Sequence, residues 1–152
     1  MIKYIMIYVT KSPKETQKLA GFLFGKINKN KKTIVIALEG ELGAGKTTFV
    51  QGLARFLKIK AKIKSPTFVL IKKYKIPGAY YLTPNTYLYH LDCYRLHDHK
   101  DLAILGIKDI LTNPDNIVLI EWSDRVKKIL PKNHTKIHID HINKNTRKLT
   151  VK

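Results

Sequence analysis

Apolar residues along the chain fall into short runs separated by polar turns. Two of the runs, 33–38 and 117–120, are continuous and rich in β-branched residues, which predicts strands buried on both faces of a sheet. Shorter or alternating patterns predict further strands at 1–9, 68–74, 87–92, 134–142 and 147–151. The last two flank the polar turn 143–145 and are expected to form a C-terminal β-hairpin.

Between several of these strands lie segments whose apolar residues have helical spacing or whose polar residues mark a helix start. Ser12, Pro13 and Glu15 are typical of a helix start, with a serine cap, proline at the first position and glutamate in the first turn. After position 46, apolar residues recur every three or four positions, at Phe49, Val50, Leu53, Ala54 and Leu57. We also expect Asp98 to cap a helix, and Asp124 to start one that ends near Pro131.

The stretch from Gly40 to Thr47 fits G-x-x-x-x-G-K-[ST], the phosphate-binding loop of nucleoside triphosphatases. Its glycines let successive backbone N–H groups face one concavity, while Lys46 can bind phosphate oxygens and the Thr47 hydroxyl suits Mg²⁺. A predicted buried strand precedes the loop and a predicted helix follows it, as phosphate binding at a helix N-terminus requires. The residues predicted to bind nucleotide are Glu41, Leu42, Gly43, Ala44, Gly45, Lys46, Thr47 and Thr48.

Two predicted strands end in carboxylates, Asp92 and Glu121. Ligands of parallel α/β sheets bind beyond the carboxyl ends of the strands. A phosphate loop there needs one acidic group near Mg²⁺ and another that positions water. The residues alone do not assign these two roles. If the strand continued past Asp92, Arg95 would lie on the opposite face.

Together these elements predict one α/β domain over residues 1–152, a P-loop NTPase-like three-layer sandwich with a mainly parallel central sheet. Cys93 is the only cysteine, so an internal disulfide is excluded and a reducing compartment is expected. The apolar N-terminal stretch is too short to cross a membrane and has no cleavage site of the signal-peptide type.

The formal net charge is +18, yet only Arg55, Arg95, Arg125 and Arg147 among the 29 basic residues are arginines. The lysine excess fits either attraction of RNA or a neutral compositional bias. Lys58, Lys60, Lys62 and Lys64 alternate, which fits either a basic stripe or a solvated edge strand protected by lysines.

Four segments together resemble the TsaE (YjeE) family. They are GELGAGKTTF at 40–49, SPTF at 65–68, HLDCYRL at 90–96 and EW at 121–122. The resemblance implies an ATPase that acts in threonylcarbamoyladenosine modification of tRNA next to the anticodon, with ATP and Mg²⁺. It implies TsaD and TsaB as partners and a cytoplasmic location, with tRNA reached through that complex and no membrane.

The resemblance also implies roles for individual residues. Thr47 and Glu121 would bind Mg²⁺, Lys46 would hold phosphates, Asp92 would serve hydrolysis, and Thr67 would lie near the γ-phosphate. Three other functions stay open on the residues alone. A small-molecule kinase would need more lid arginines, a GTP switch would need Asn-Lys-x-Asp, and an RNA-binding module would lack turnover.

Overall fold

The computed structural model describes residues 4–27, 32–65, 70–78 and 86–152. In chain order the elements are β1 (Met6–Thr10), α1 (Pro13–Lys26), β2 (Ile34–Glu39), α2 (Lys46–Phe56), β3 (Ile71–Lys75), β4 (Tyr87–Asp92), α3 (Lys100–Ala103), α4 (Ile107–Thr112), β5 (Asn116–Glu121), a 3-10 helix (Ser123–Ile129), β6 (Thr135–His141) and β7 (Arg147–Val151).

The described strands form one seven-stranded sheet in the order β1-β7-β6-β2-β5-β4-β3. The four strands β6, β2, β5 and β4 run parallel, whereas β1, β7 and β3 each pair antiparallel with their neighbours. The sheet is therefore mixed: its four central strands run parallel as predicted, the predicted C-terminal hairpin is confirmed as β6 and β7, and β1 and β3 add edge strands whose antiparallel pairing was not predicted. The physical reason lies in the connections, because strands joined by a short turn, such as β6 and β7, must pair antiparallel.

Helices cover both faces of the sheet, and the central strands β2 and β5 are therefore buried on both sides. Ile36 and Leu119 pack with α1 and α2 in one core cluster. Val35 and Val118, their neighbours in sequence, pack with α3, α4 and the 3-10 helix in a second cluster. Continuous apolar runs thus become strands at the centre of a layered α/β structure, as predicted.

The predicted start of the first helix is confirmed. The Ser12 side chain accepts a hydrogen bond from the Glu15 N–H at 3.1 Å, and Pro13 occupies the first helical position. The Glu15 carboxylate in turn accepts from the Lys11 N–H at 2.7 Å. These contacts satisfy backbone donors at the helix end that would otherwise lack partners.

Two expected helices differ from the structure. The region after Asp98 contains two short helices, because Gly106 adopts a left-handed conformation at φ +70° between them. The first of them has His99 at its N-cap, with no side-chain cap, so the prediction that Asp98 caps a helix is wrong, although the Asp98 carboxylate accepts from the Lys100 N–H at 3.0 Å. The segment after Trp122 forms 3-10 turns with a kink at Val126.

The lysine-rich segment 58–65 contains no strand, so the expectation of an edge strand is wrong there. Ile63 is buried, whereas Lys60, Lys62 and Lys64 are exposed, which makes the segment a coil anchored by an apolar side chain. In the connection between β3 and β4, residues 79–85 lie outside the described residues. Its flanking strands β3 and β4 pair antiparallel, as in a hairpin.

Helices α1 and α2 cross closely at Gly52, where an added Cβ would overlap the Cα and carbonyl oxygen of Gln17. Gly25, near the end of α1, has open space at the same position. We expect Gly52→Ala to lower the free energy of unfolding by about 1–3 kcal/mol, because backbone must move to admit the methyl group.

The matched control is Gly25→Ala, which should raise the free energy of unfolding by about 0.4–1 kcal/mol because it restricts the unfolded chain. Urea denaturation followed by the fluorescence of Trp122, the only tryptophan, measures both variants. Equal stability of Gly52→Ala and the unmodified protein would contradict the close crossing.

Candidate functional site

The glycine-rich loop joins β2 to α2 at the carboxyl edge of the sheet. Gly40 has φ +144°, and a Cβ there would overlap the Ile139 carbonyl oxygen of β6, so only glycine fits. Gly45 has φ +104° and precedes the first residue of α2 without any side-chain cap. The N-terminal amides of α2 are therefore available to a ligand at this end of the helix.

A cleft of about 390 Å³ opens in front of this loop. The residues that line it are Leu42, Gly43, Gly45, Lys46, Thr47, Thr48, Ser65, Asp92, Tyr94, Arg95, Glu121 and Trp122. Eight of them were named as candidate site residues from the sequence. Of the other candidates, the Ala44 side chain is buried in the core and the Glu41 side chain is exposed. Thr67 lies outside the described residues.

The two strand-end carboxylates meet as expected. Strands β4 and β5 pair in parallel with Asp92 opposite Glu121, so both acids leave the sheet at the same edge. Their surroundings differ, because Glu121 is only 3% exposed and Asp92 is half-buried. This difference separates a carboxylate fixed in the protein interior from one that faces the open cleft.

The Thr47 hydroxyl lies 2.9 and 3.1 Å from the two Glu121 carboxylate oxygens. Adjacent ligands of an octahedral Mg²⁺ ion lie about 2.9 Å apart, since each is about 2.0–2.1 Å from the metal. The pair therefore fits two neighbouring positions around Mg²⁺. No group of three or more His, Cys, Asp or Glu side chains that could hold a metal ion occurs among the described residues.

His90 holds the buried carboxylate from the other side. Its Nε2 lies 2.7 Å from Glu121 Oε1, and the residue is fully buried. The Glu121 carboxylate is thus held between the Thr47 hydroxyl and the His90 ring. No role was predicted for His90 from the sequence. The available signal was its position two residues before Asp92, which places both side chains on one face of β4.

Asp92 is held by two contacts of its own. The Ser65 hydroxyl donates to its Oδ2, and the Tyr94 N–H donates to its Oδ1 at 3.0 Å. Strand β4 ends at Asp92, so Arg95 also lines the cleft instead of lying on the opposite face. Because β4 does not continue past Asp92, Asp92 and Arg95 both line the cleft.

Lys46 is 4% exposed, and its ammonium donates to the carbonyl oxygens of Gly40 at 2.6 Å and Glu41 at 2.8 Å. Burial lowers the pKa of Lys46 from its ordinary value, while the carboxylates of Glu121, Asp92 and Asp124 act in the opposite direction. The ammonium is thus fixed at the entrance of the loop.

An aromatic wall closes the cleft beside the lysine. The Trp122 ring centroid lies 3.9 Å from Lys46 Nζ and 4.9 Å from the Tyr94 ring. Trp122 adopts a left-handed backbone at φ +57°, a conformation that costs about 1–2 kcal/mol for a residue with a side chain. The guanidinium of Arg125 packs against both rings, which supports them from outside.

Cys93 does not contribute a nucleophile to this site. It is fully buried, and burial, with nearby carboxylates, raises the pKa of its thiol to about 12. The thiol therefore stays protonated near neutral pH, and the cleft offers hydroxyl, carboxylate, ammonium and backbone amide groups instead.

A family model described as "Threonylcarbamoyl adenosine biosynthesis protein TsaE" matches residues 10–149. The chain belongs to the TsaE family. This result confirms the resemblance found in the sequence, since the match includes the phosphate-loop, Ser-Pro-Thr-Phe, His-x-Asp and Glu-Trp segments.

Several relatives are named tRNA threonylcarbamoyladenosine biosynthesis protein TsaE. The Haemophilus influenzae protein is 40% identical over 110 residues, which cover 72% of this chain and 65% of that protein. The Rickettsia typhi protein is 31% identical over 147 residues, covering 96% of this chain and 94% of that protein. The crystal structure of YdiB from Bacillus subtilis matches 99% of this chain and 86% of its own, at 28% identity and a TM-score of 0.72.

No helix among the described residues combines the length and the apolar character needed to cross a membrane.

Proposed function

We propose that this TsaE-family protein is a P-loop ATPase, a single domain over residues 1–152 that serves threonylcarbamoyladenosine formation in tRNA. The observation that carries the proposal is the Thr47–Glu121 oxygen pair at 2.9 and 3.1 Å, beside the fixed ammonium of Lys46 and in front of the glycine loop. Family membership supplies the tRNA pathway.

In this proposal the loop binds the phosphates of ATP. Backbone N–H groups of the loop and the first turn of α2 donate to phosphate oxygens, and Lys46 adds a compact positive charge. Thr47 and Glu121 bind Mg²⁺, which, when bound, neutralises phosphate charge and makes the terminal phosphate a better electrophile. His90 keeps the Glu121 carboxylate oriented towards Thr47.

Asp92 orients the attacking water in the same proposal. Its carboxylate faces the open cleft and is held by Ser65 and the Tyr94 N–H, so its direction is set before substrate arrives. Arg95 lines the same cleft and can add positive charge near the reacting phosphate. Thr67 is assigned a place near the γ-phosphate from the family resemblance alone.

The proposal extends to the rest of the pathway. We infer that TsaD and TsaB are the partners of this chain and that hydrolysis of ATP resets their complex, which brings tRNA to the site. The support is membership of a family named for this biosynthesis, and the net charge of +18 favours association with acidic surfaces and RNA.

Nucleotide binding tests the loop. Lys46→Ala should weaken ATP binding by about 1.5–3 kcal/mol, because the phosphates lose a charge-assisted contact. Thr47→Ala should weaken binding in the presence of Mg²⁺ more than binding without metal. Calorimetric titration measures both, with Lys108→Ala, an exposed lysine of α4, as a control for the lost charge. Unchanged affinity in both loop variants would refute the assignment.

The two acids should separate under substitution. Glu121→Gln should raise the Mg²⁺ concentration needed for ATP hydrolysis, since a neutral amide is a weaker ligand. Asp92→Asn should bind ATP almost normally and lose hydrolysis, because the water is no longer oriented by a carboxylate. Phosphate release and binding are measured side by side, with Asp109→Asn as the surface control. Full hydrolysis by Asp92→Asn would exclude the proposed role.

Partner dependence is tested by comparing phosphate release in three mixtures. We expect a slow rate for the protein alone, a faster rate with TsaD and TsaB, and a further change when tRNA is added. The expected direction follows because groups supplied by a partner can accelerate phosphoryl transfer by about 10³–10⁵. Equal rates in all three mixtures would favour a self-sufficient enzyme.

A further inference from the structure

The C-terminal hairpin reaches the phosphate loop through one side chain. Arg147, the first residue of β7, donates from Nε to the Ala44 carbonyl oxygen at 2.9 Å and from Nη2 to the Gly43 carbonyl oxygen at 3.4 Å. These contacts join positions 103 and 104 residues apart in the chain. The guanidinium thus lies behind the loop, against carbonyls of the predicted nucleotide-binding residues.

The other side of the same guanidinium is held by the hairpin turn. Nη1 donates to the carbonyl oxygens of Asn143 at 2.8 Å, Thr146 at 3.1 Å and Lys144 at 3.4 Å. The turn itself is closed by the Asn143 side chain, which accepts from the N–H groups of Asn145 and Thr146 at 3.1 and 2.9 Å. The guanidinium of Arg147 is therefore hydrogen-bonded to the loop on one side and to the hairpin turn on the other.

A second contact between the loop and the hairpin lies at Gly40. A Cβ at this position would overlap the Ile139 carbonyl oxygen, so the loop begins in direct contact with β6. Strands β6 and β7 form one hairpin, paired from Ile137 opposite Val151 to His141 opposite Arg147. The hairpin consequently supports the loop from behind at its start and again in its second half.

The hydrogen bond from Arg147 to the Ala44 carbonyl oxygen also affects the peptide N–H of Gly45. In a planar trans peptide the C=O and the following N–H point in opposite directions, and the described chain contains no cis peptide. With the Ala44 C=O turned to Arg147, the Gly45 N–H is turned away from it. Gly45 itself lines the cleft, which is the side where an anion would be bound.

We propose that Arg147 is a positioning residue that orients the loop peptides for the polyphosphate of a nucleotide. This inference rests on the proposed function, because it assigns phosphates to the cleft. The proposed role of Arg147 depends on the geometry of its hydrogen bonds and not only on its positive charge. A guanidinium can donate to the loop and the turn at once through separate nitrogens, whereas the single ammonium of a lysine cannot span both.

The test uses Arg147→Gln, Arg147→Lys and the neighbouring control Lys148→Gln, whose ammonium pairs with Asp140 at 3.4 Å. Thermal unfolding establishes that each variant is folded. Hydrogen exchange without nucleotide then measures the amides of residues 43–48, with β2 as an internal reference. Calorimetry measures the affinity for Mg-ATP.

Both Arg147 variants should exchange faster in the loop and bind ATP about tenfold or more weakly, while Lys148→Gln stays within about twofold of the unmodified protein. Faster exchange without weaker binding would overturn the inference, and so would weaker binding without faster exchange. An Arg147→Lys variant that behaves as the unmodified protein would show that charge alone suffices, which also overturns it.

The outcome separates this inference from the proposed function. If the unmodified protein binds no nucleotide, the proposed function fails, while loop exchange still shows whether Arg147 orders the loop. If the unmodified protein binds ATP and Arg147→Gln binds it equally well, the function stands and the positioning role is wrong. Arg147→Lys decides the question if Arg147→Gln does not fold.

Discussion

The hydrogen bonds between the Thr47 hydroxyl and the Glu121 carboxylate join the first turn of α2 to the end of β5. Burying a carboxylate is costly unless it is well partnered, and here Thr47 and His90 supply the partners. The Thr47–Glu121 contact requires a tight loop between β2 and α2, and Gly40, Gly43 and Gly45, which all have positive φ, allow the backbone to make it. The same few oxygens therefore hold the local fold together and carry the proposed metal and phosphate binding.

The layered sheet explains why these groups meet. Parallel strands β2, β4 and β5 end at one edge, so residues distant in sequence converge on a single cleft. The antiparallel strand β7 reaches the same region from the other side of β6. The hairpin of β6 and β7 contacts the glycine-rich loop through Arg147, so the C-terminal strands adjoin the cleft.

Much of this could be predicted because the signals are local. The serine cap of α1, the buried runs of β2 and β5 and the strand-end acids are all set by neighbouring residues. The contacts of His90 with Glu121 and of Arg147 with Ala44 were not predictable in this way. They depend on strand register and on a loop packed against a hairpin more than a hundred residues later. The split at Gly106 and the 3-10 turns after Trp122 likewise reflect backbone conformations that periodicity does not report.

The proposed function depends on recognition of nucleotide phosphates by the glycine-rich loop and Lys46. Trp122, the only tryptophan, lines the cleft 3.9 Å from Lys46 Nζ, so its fluorescence reports occupancy directly. The decisive measurement is a fluorescence titration with adenosine, AMP, ADP and ATP at constant Mg²⁺. The account predicts that affinity rises with each added phosphate and is highest for ATP. Adenosine or AMP binding as tightly as ATP would contradict it.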